Sequence, residues 1–300
     1  MRIVAWNIRA GGGRRGDAIA RQVARWAPDV VALAEFRGTA PSLALAAALA
    51  DGNLTHQLTT ADAARPGANA LLIAARWPLR RVRLSAAPVE PGRWLAATVD
   101  APRPLIVGAM HVPNRVSGRK YAFLAAVLAC ARRWRLGPAL FVGDTNSGRR
   151  GIDEEVPAFN GREEGWIDGL AACGWRDAFR HLSATARAYT WYSPNGQNGF
   201  RIDQAFVNAA LLGRLAAVRH VWGGATRRRR RDALSDHAAL LVDLVEPLWG
   251  RDSSPAREPT GERPRRAPQQ ATVMRRLAWG ADPRGTWEVL KCLDAPTEKC

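Results

Sequence analysis

Ala139-Leu140-Phe141-Val142-Gly143-Asp144-Thr145-Asn146 is the stretch on which the reading of this chain turns. Four apolar residues in a row read as a buried strand, and Gly143-Asp144 ends it. Rigid scaffolds present functional groups at strand ends and in the loops that follow. Taken alone, Gly-Asp-x-Asn is equally a type I turn. The rest of the chain has to decide between the two readings.

Working outward, the same pattern recurs. Met1–Ile8 reads as a strand carrying Asn7 near its end, with a glycine turn at Gly11–Gly13. Val30–Leu33 is a short apolar run that ends near Glu35. Leu105–Met110 runs into His111-Val112-Pro113-Asn114. Arg201-Ile202-Asp203 opens the strand Ile202–Val207, and Ser235-Asp236-His237 precedes Ala238–Leu244. Ala70–Ala74, Leu95–Val99 and the segment around Val218–Trp222 are further strands. Helices are expected over Asp17–Trp26, where Ile19, Val23 and Trp26 share a face, and over Pro41–Ala50, Tyr121–Trp134 and Gly165–Cys173, the last capped by Gly174. Many strands with a few intervening helices, and no internal repeat, predict an α+β layered fold.

With 300 residues, 47% of them hydrophobic, the chain can bury a large core. No apolar run reaches the roughly 20 residues that span a bilayer. The N-terminus lacks the basic, apolar and cleavage-site order of a signal peptide, so a cytoplasmic protein without a membrane partner is expected. Cys130, Cys173, Cys292 and Cys300 form no Cys-x-x-Cys pair, which argues against structural zinc or a disulfide framework. Cys130, in an apolar helical run, reads as a small core residue. The net charge is +17, and of the 44 basic residues only Lys120, Lys291 and Lys299 are lysines. Coding bias accounts for such a surplus as readily as a polyanionic partner does. Composition divides the chain into 1–248, which carries the strands and helices, and 249–300, a Pro/Arg-rich linker and tail expected to be disordered: Arg251–Thr272 lacks apolar periodicity, and Met274–Leu290, with scattered apolar residues, is either a docking segment or an unstructured tail.

In order and spacing these segments resemble the endonuclease/exonuclease/phosphatase superfamily. They are a strand ending in Asn, a Glu about thirty residues on, Gly-Asp-x-Asn, Arg-Ile-Asp and a late Ser-Asp-His. The likeness covers roughly residues 1–245, and Gly143–Asn146 and Ser235–His237 are its most specific pieces. It implies a DNase I-like four-layered α/β sandwich, two mixed β-sheets face to face with helices outside. It implies divalent-metal-dependent hydrolysis of phosphodiesters, with Mg²⁺ as the expected ion and Mn²⁺ also acceptable to oxygen donors. By this resemblance Glu35 and Asp236 are metal ligands and Asn7 orients the site. Asp144 positions or deprotonates the attacking water, and Asn146 holds phosphate and water in line. His237 stabilises the phosphoryl oxygens, with Asp203 fixing its tautomer.

His111 stands where the abasic-site endonuclease branch carries a tyrosine, which looks more like the secreted nuclease, sphingomyelinase and phosphatase branches. There it would protonate the leaving alkoxide or bind phosphate. Asn69, Arg76, Asn114 and Arg201 are further substrate-binding candidates. Asp177, in Gly-Trp-Arg-Asp-Ala-Phe, reads as structural. Trp191 either stacks on substrate or belongs to the core. Arg227 and Arg228 begin the run Arg227–Arg231 just before Ser235, which with Arg149 and Arg150 would form a basic rim. Together these readings favour a monomeric nuclease on DNA or RNA. The alternative is a phosphatase or phosphodiesterase on a small-molecule or lipid-derived phosphoester. A catalytically dead binding module is disfavoured, because every polar residue of the pattern is present.

Overall fold

A computed structural model describes residues 1–224 and 233–245. One six-stranded sheet contains β1 (Arg2–Asn7), β2 (Val30–Phe36), β3 (His56–Thr59), β4 (Ala70–Ala75), β13 (Leu215–Val221) and β14 (Ala239–Leu244). Their order across the sheet is β13-β14-β1-β2-β4-β3. The other contains β5 (Leu79–Val82), β6 (Trp94–Val99), β7 (Leu105–His111), β8 (Ala139–Asp144), β9 (Trp175–Asp177) and β12 (Asp203–Asn208), in the order β5-β6-β7-β8-β12-β9. A short ribbon pairs β10 (Trp191–Tyr192) with β11 (Gly199–Phe200). Each large sheet holds one parallel pair, β1–β2 and β7–β8, among antiparallel neighbours.

Alternation along the strands sorts side chains into layers. Ile3, Ala5, Val30 and Ala32 face Ala97, Val107, Leu140 and Val142 across the space between the sheets. Val4, Trp6, Val31 and Leu33 face the opposite way, onto α1 (Gly16–Trp26) and α2 (Ala40–Asp51). Met110, Phe141 and Phe206 pack outward onto α3 (Lys120–Arg132) and α4 (Gly161–Ala172). The result is the expected helix–sheet–sheet–helix sandwich. Cys130 is buried within α3.

Several local expectations need correction. α4 begins four residues before Gly165, because Asn160 and Glu163 form a reciprocal capping box that starts the helix there. β3 and β5 escaped the sequence reading because they are short edge strands with no fully buried side chain, which weakens the apolar signal. Asp177 does close a turn: its Oδ1 accepts from the amides of Phe179 and Arg180 and caps α5 (Ala178–Leu182). The segment after residue 245, including Met274–Leu290, lies outside the described residues.

Candidate active site

The two parallel pairs end side by side, and the polar residues of the sequence pattern gather there. Asn7 ends β1 opposite Ala34. Its amide donates to Asp144 Oδ2 at 3.1 Å and lies 3.4 Å from Glu35 Oε1, so one side chain joins the two sheets. Glu35 sits in a bulge of β2, where the register shifts between Ala34 and Phe36, and adopts φ 57°. That conformation is uncommon for a non-glycine residue and turns the carboxylate out of the strand alternation. The turn after β1 holds it there. Arg9, Ala10, Gly11, Gly12 and Gly13 all have φ between 49° and 75°. The Ala10 amide donates to Glu35 Oε2 at 2.8 Å, and the Gly11 amide to the Glu35 carbonyl at 2.7 Å.

On the second sheet, His111 and Asp144 end β7 and β8 as parallel neighbours, and Asp203 opens β12 directly opposite Asp144. Gly143 has φ 140°, and a Cβ there would lie 2.0 Å from the Met110 carbonyl oxygen. Only glycine permits that approach of β8 to β7. The Asn146 amide N–H donates to Asp144 Oδ1 at 2.9 Å, and its side-chain Nδ2 donates to Val112 O at 2.8 Å. Asp203 Oδ2 lies 2.9 Å from His237 Nδ1. His237 Nε2 and His111 Nε2 approach Asp144 Oδ2 at 3.9 and 3.7 Å. The His237 backbone is fixed by Ser235 Oγ, which accepts from its amide and donates to Asn7 O at 2.6 Å, and by Trp6, whose indole donates to His237 O.

Burial works against a charged His237, yet Asp203, Asp144 and Asp236 outweigh it and push the imidazole up to about 10. These carboxylates favour the imidazolium form of His237 at neutral pH. His111 goes the other way. Burial, reinforced by Arg93 and His237, lowers it to about 4 despite Asp144. A neutral imidazole can donate or accept a hydrogen bond, and its Nδ1 has no protein partner among the described residues. Burial raises Asp144 above the ordinary carboxylate range, with both histidines opposing the shift.

The donor set suits a hard divalent cation. The carboxylates of Glu35 and Asp144 converge on the Asn7 amide, with Asp203 behind them, and no cysteine among the described residues joins the cluster. Asp144, Asp203 and His237 also offer ligand atoms within 4.8 Å of one another. In that trio the Asp203–His237 contact is already a hydrogen bond, so we read it as an orienting pair rather than a ligand set. Asp236 is exposed and near enough to His237 and Arg15 to influence both, and no contact ties it to Glu35.

The substrate-binding candidates divide. Trp191 forms a wall of the site: its ring centroid is 6.4 Å from that of His237, and the two residues share a backbone bridge. Asn69 lies at the Glu35 end of β4 and accepts from Arg37 Nε. Asn114 is exposed and caps the 3-10 turn Arg115–Ser117. Arg76 is corrected: antiparallel pairing of β2 and β4 sends it to the opposite end of the sheet, where it pairs with Asp29 at 3.0 Å. Arg201 is also corrected. It is fully buried between Asp153 and Asp177, which leaves no face for substrate. Arg149 and Arg150 pair with Asp168 and Glu164 of α4. Arg227 and Arg228 lie outside the described residues.

Three contributors were missed. Arg93 immediately precedes β6, donates to His111 O at 3.2 Å, and feels the charges of Asp144 and Glu35. Since Trp94 packs outward, strand alternation directs Arg93 inward, toward the open end of the inter-sheet layer. Thr190 Oγ1 accepts from the amides of Ile202 and Asp203 and fixes where β12 starts. Arg15 donates to the carbonyls of Ile8, Arg9 and Leu234, tying the exit of β1 to the Ser235–His237 loop. A lone arginine or threonine in a loop carries no sequence signal of such a role.

Comparison with known proteins follows the same lines. No curated protein sequence gives a significant match. Among solved structures, a 3′ phosphatase from Neisseria bound to product DNA hairpin (NExo) superposes with a TM-score of 0.66 at 22% identity, covering 82% of this chain and 100% of the other. An AP endonuclease from Archaeoglobus fulgidus gives 0.68 at 18%, with 81% and 99% covered. A 3′-5′ exonuclease (NExo) from Neisseria meningitidis gives 0.66 at 23%, again with 81% and 99% covered. These likenesses show the fold. Residues 4–237 match the Endonuclease/Exonuclease/phosphatase family, and the chain belongs to that family of phosphoester hydrolases.

Proposed function

We infer that the protein is a Mg²⁺-dependent phosphodiesterase whose substrate is a nucleic acid. The observation that carries the reading is the convergence of Asn7, Glu35, Asp144, Asp203 and His237 from five strands or strand ends of both sheets. Glu35, with Asn7 and Asp144 beside it, would hold the ion, which supplies positive charge for the phosphoryl and leaving oxygens. Asp144 takes the proton of a water as its oxygen bonds to phosphorus in line with the breaking P–O ester bond. Its raised pKa suits it to that exchange. Asn146 has a second amide hydrogen and its Oδ1 to offer water or phosphate. The His237 imidazolium donates to a phosphoryl oxygen, and Asp203 keeps its ring oriented. His111, neutral and buried, serves as a hydrogen-bonding group rather than a strong acid.

A nucleic-acid substrate is supported by the net charge of +17, by Trp191 beside His237, and by the DNA-processing activities in the names of the similar structures. His111 in place of tyrosine favours an ordinary phosphoester over an abasic site. The second reading, a phosphatase or phosphodiesterase on a small phosphoester, rests on that same histidine.

The deciding experiment offers plasmid, single-stranded DNA, RNA and an abasic-site duplex beside bis-p-nitrophenyl phosphate and phosphomonoesters, with Mg²⁺ or EDTA. Metal-dependent cleavage of a polymer, lost in Asp144→Ala, is expected. Turnover confined to small esters would reassign the substrate class. Replacing Arg227–Arg231 by serine should flatten the salt dependence of polymer binding, and an unchanged slope would remove that run from the interface.

A further inference from the structure

Only one of the three lysines, Lys120, falls within the family-matched span. In a chain that otherwise uses arginine it is 2% exposed. Lys120 opens α3 beneath the active site, and its ammonium donates to the carbonyl oxygen of Asn146 and to Oε1 of Glu163. Glu163 is fully buried. Its Oε2 accepts from the Asn160 amide at 2.8 Å and completes the cap of α4, while Arg115 Nε approaches Oε1 at 3.2 Å. The α4 cap, a buried ion pair and the backbone of an active-site residue are therefore one continuous chain of contacts.

Asn146 is a residue that needs holding. Its φ is 45°, a conformation non-glycine residues seldom adopt without external support. Its amide and side chain are fixed on Asp144 and Val112, and its carbonyl is fixed by Lys120. An ammonium is a compact charge with three donors, suited to converge on a carbonyl and a carboxylate oxygen. A guanidinium presents a wider planar fork. That difference gives a physical reason for lysine at this position in an arginine-rich chain.

We propose that Lys120 is a positioning residue of the active site, its ion pair with Glu163 clamping the Asn146 carbonyl and holding the Asp144–Asn146 turn in its left-handed form. The inference rests on the assignment of Asp144 and Asn146 to the hydrolytic site. Lys120→Met alone leaves the Glu163 charge buried with Arg115 as its remaining ionic partner and can fail to fold. Lys120→Met/Glu163→Gln removes both charges and keeps an oxygen for the Asn160 amide, a replacement that buried pairs tolerate far better.

The test compares this double variant with the full-length wild type. It measures thermal unfolding, kcat and KM for bis-p-nitrophenyl phosphate with Mg²⁺, and amide hydrogen exchange across residues 144–147. The expected result is a similar unfolding midpoint, kcat lower by about 10–100-fold, KM little changed, and faster exchange at the Asn146 amide. A folded double variant with wild-type kcat and wild-type exchange overturns the proposal, and so does a double variant that no longer folds, since the pair would then serve only to fasten α4 to α3. If the wild type hydrolyses no phosphoester, the functional reading fails, while the exchange measurement still decides whether Lys120 holds Asn146.

Discussion

Gly143 lies so close to Met110 that a Cβ on it would stand 2.0 Å from the Met110 carbonyl oxygen. Backbone, not a flexible side chain, fills the space, and φ 140° adds strain for any other residue. Gly143→Ala should destabilise the fold by at least about 4 kcal/mol, read from the urea midpoint. A loss below about 1 kcal/mol would show that β7 and β8 can separate at this point.

The Asp203–His237 pair gives a pH signature. Because the imidazole is pushed up to about 10, activity that needs the imidazolium persists through neutrality and is lost as pH rises through about 10. Asp203→Asn removes a major support of the charge, so the basic limb of the kcat profile should move down by more than about one pH unit. An unmoved limb would dissociate that ionisation from His237.

Arg201 predicts behaviour in acid. Burial alone would raise Asp153, but Arg201 and Arg180 hold it below its ordinary value of 3.8. A depressed carboxylate contributes stability that is present above pH 3.8 and is lost as pH falls through the folded-state value. Asp153→Asn should therefore flatten the fall of unfolding free energy on acidification. Arg201→Met, which takes the guanidinium from Asp177 and leaves Asp153 with Arg180 alone, should cost about 3–5 kcal/mol at neutral pH. A shift within error in both variants would show the trio to be energetically idle.

Trp191 separates stacking from wall-building. If a base or sugar packs on it, Trp191→Ala should weaken polymer binding by about 1–3 kcal/mol, or roughly 5- to 150-fold in KM. Turnover of bis-p-nitrophenyl phosphate should change much less. Equal losses on both substrates would make the indole a support for His237.

Glu35→Ala should abolish hydrolysis chiefly through loss of the ion. Titration with Mg²⁺ should show a much higher half-saturating concentration, with partial rescue at high metal. Inactivity with an unchanged Mg²⁺ dependence would assign the ion to other carboxylates.

Asn7, Glu35, Asp144, Asp203 and His237 were legible in the sequence because each sits where an apolar run begins or ends, and such ends share one edge of a layered sheet. What sequence could not convey was direction. Nothing in Asn69 to Arg76 says which end of β4 meets the site. The antiparallel pairing with β2 settles it, bringing Asn69 near and sending Arg76 away. Arg201 was misread for a related reason. It adjoins Asp203 in the chain, yet its partners Asp153 and Asp177 lie 48 and 24 residues away. The bulge that turns Glu35 outward, and the left-handed turn that supports it, are backbone events with no side-chain signature beyond three glycines.

β14 enters the first sheet between β13 and β1, and its approach carries His237. Among the described strands, the last in chain order thus lies next to the first. During synthesis, every product shorter than about the full family-matched span lacks the imidazolium and leaves one edge of β1 without its β14 partner. On the proposed mechanism, hydrolytic competence is thereby tied to completion of the family-matched span, and a ribosome-bound fragment that stops short of His237 would be inert.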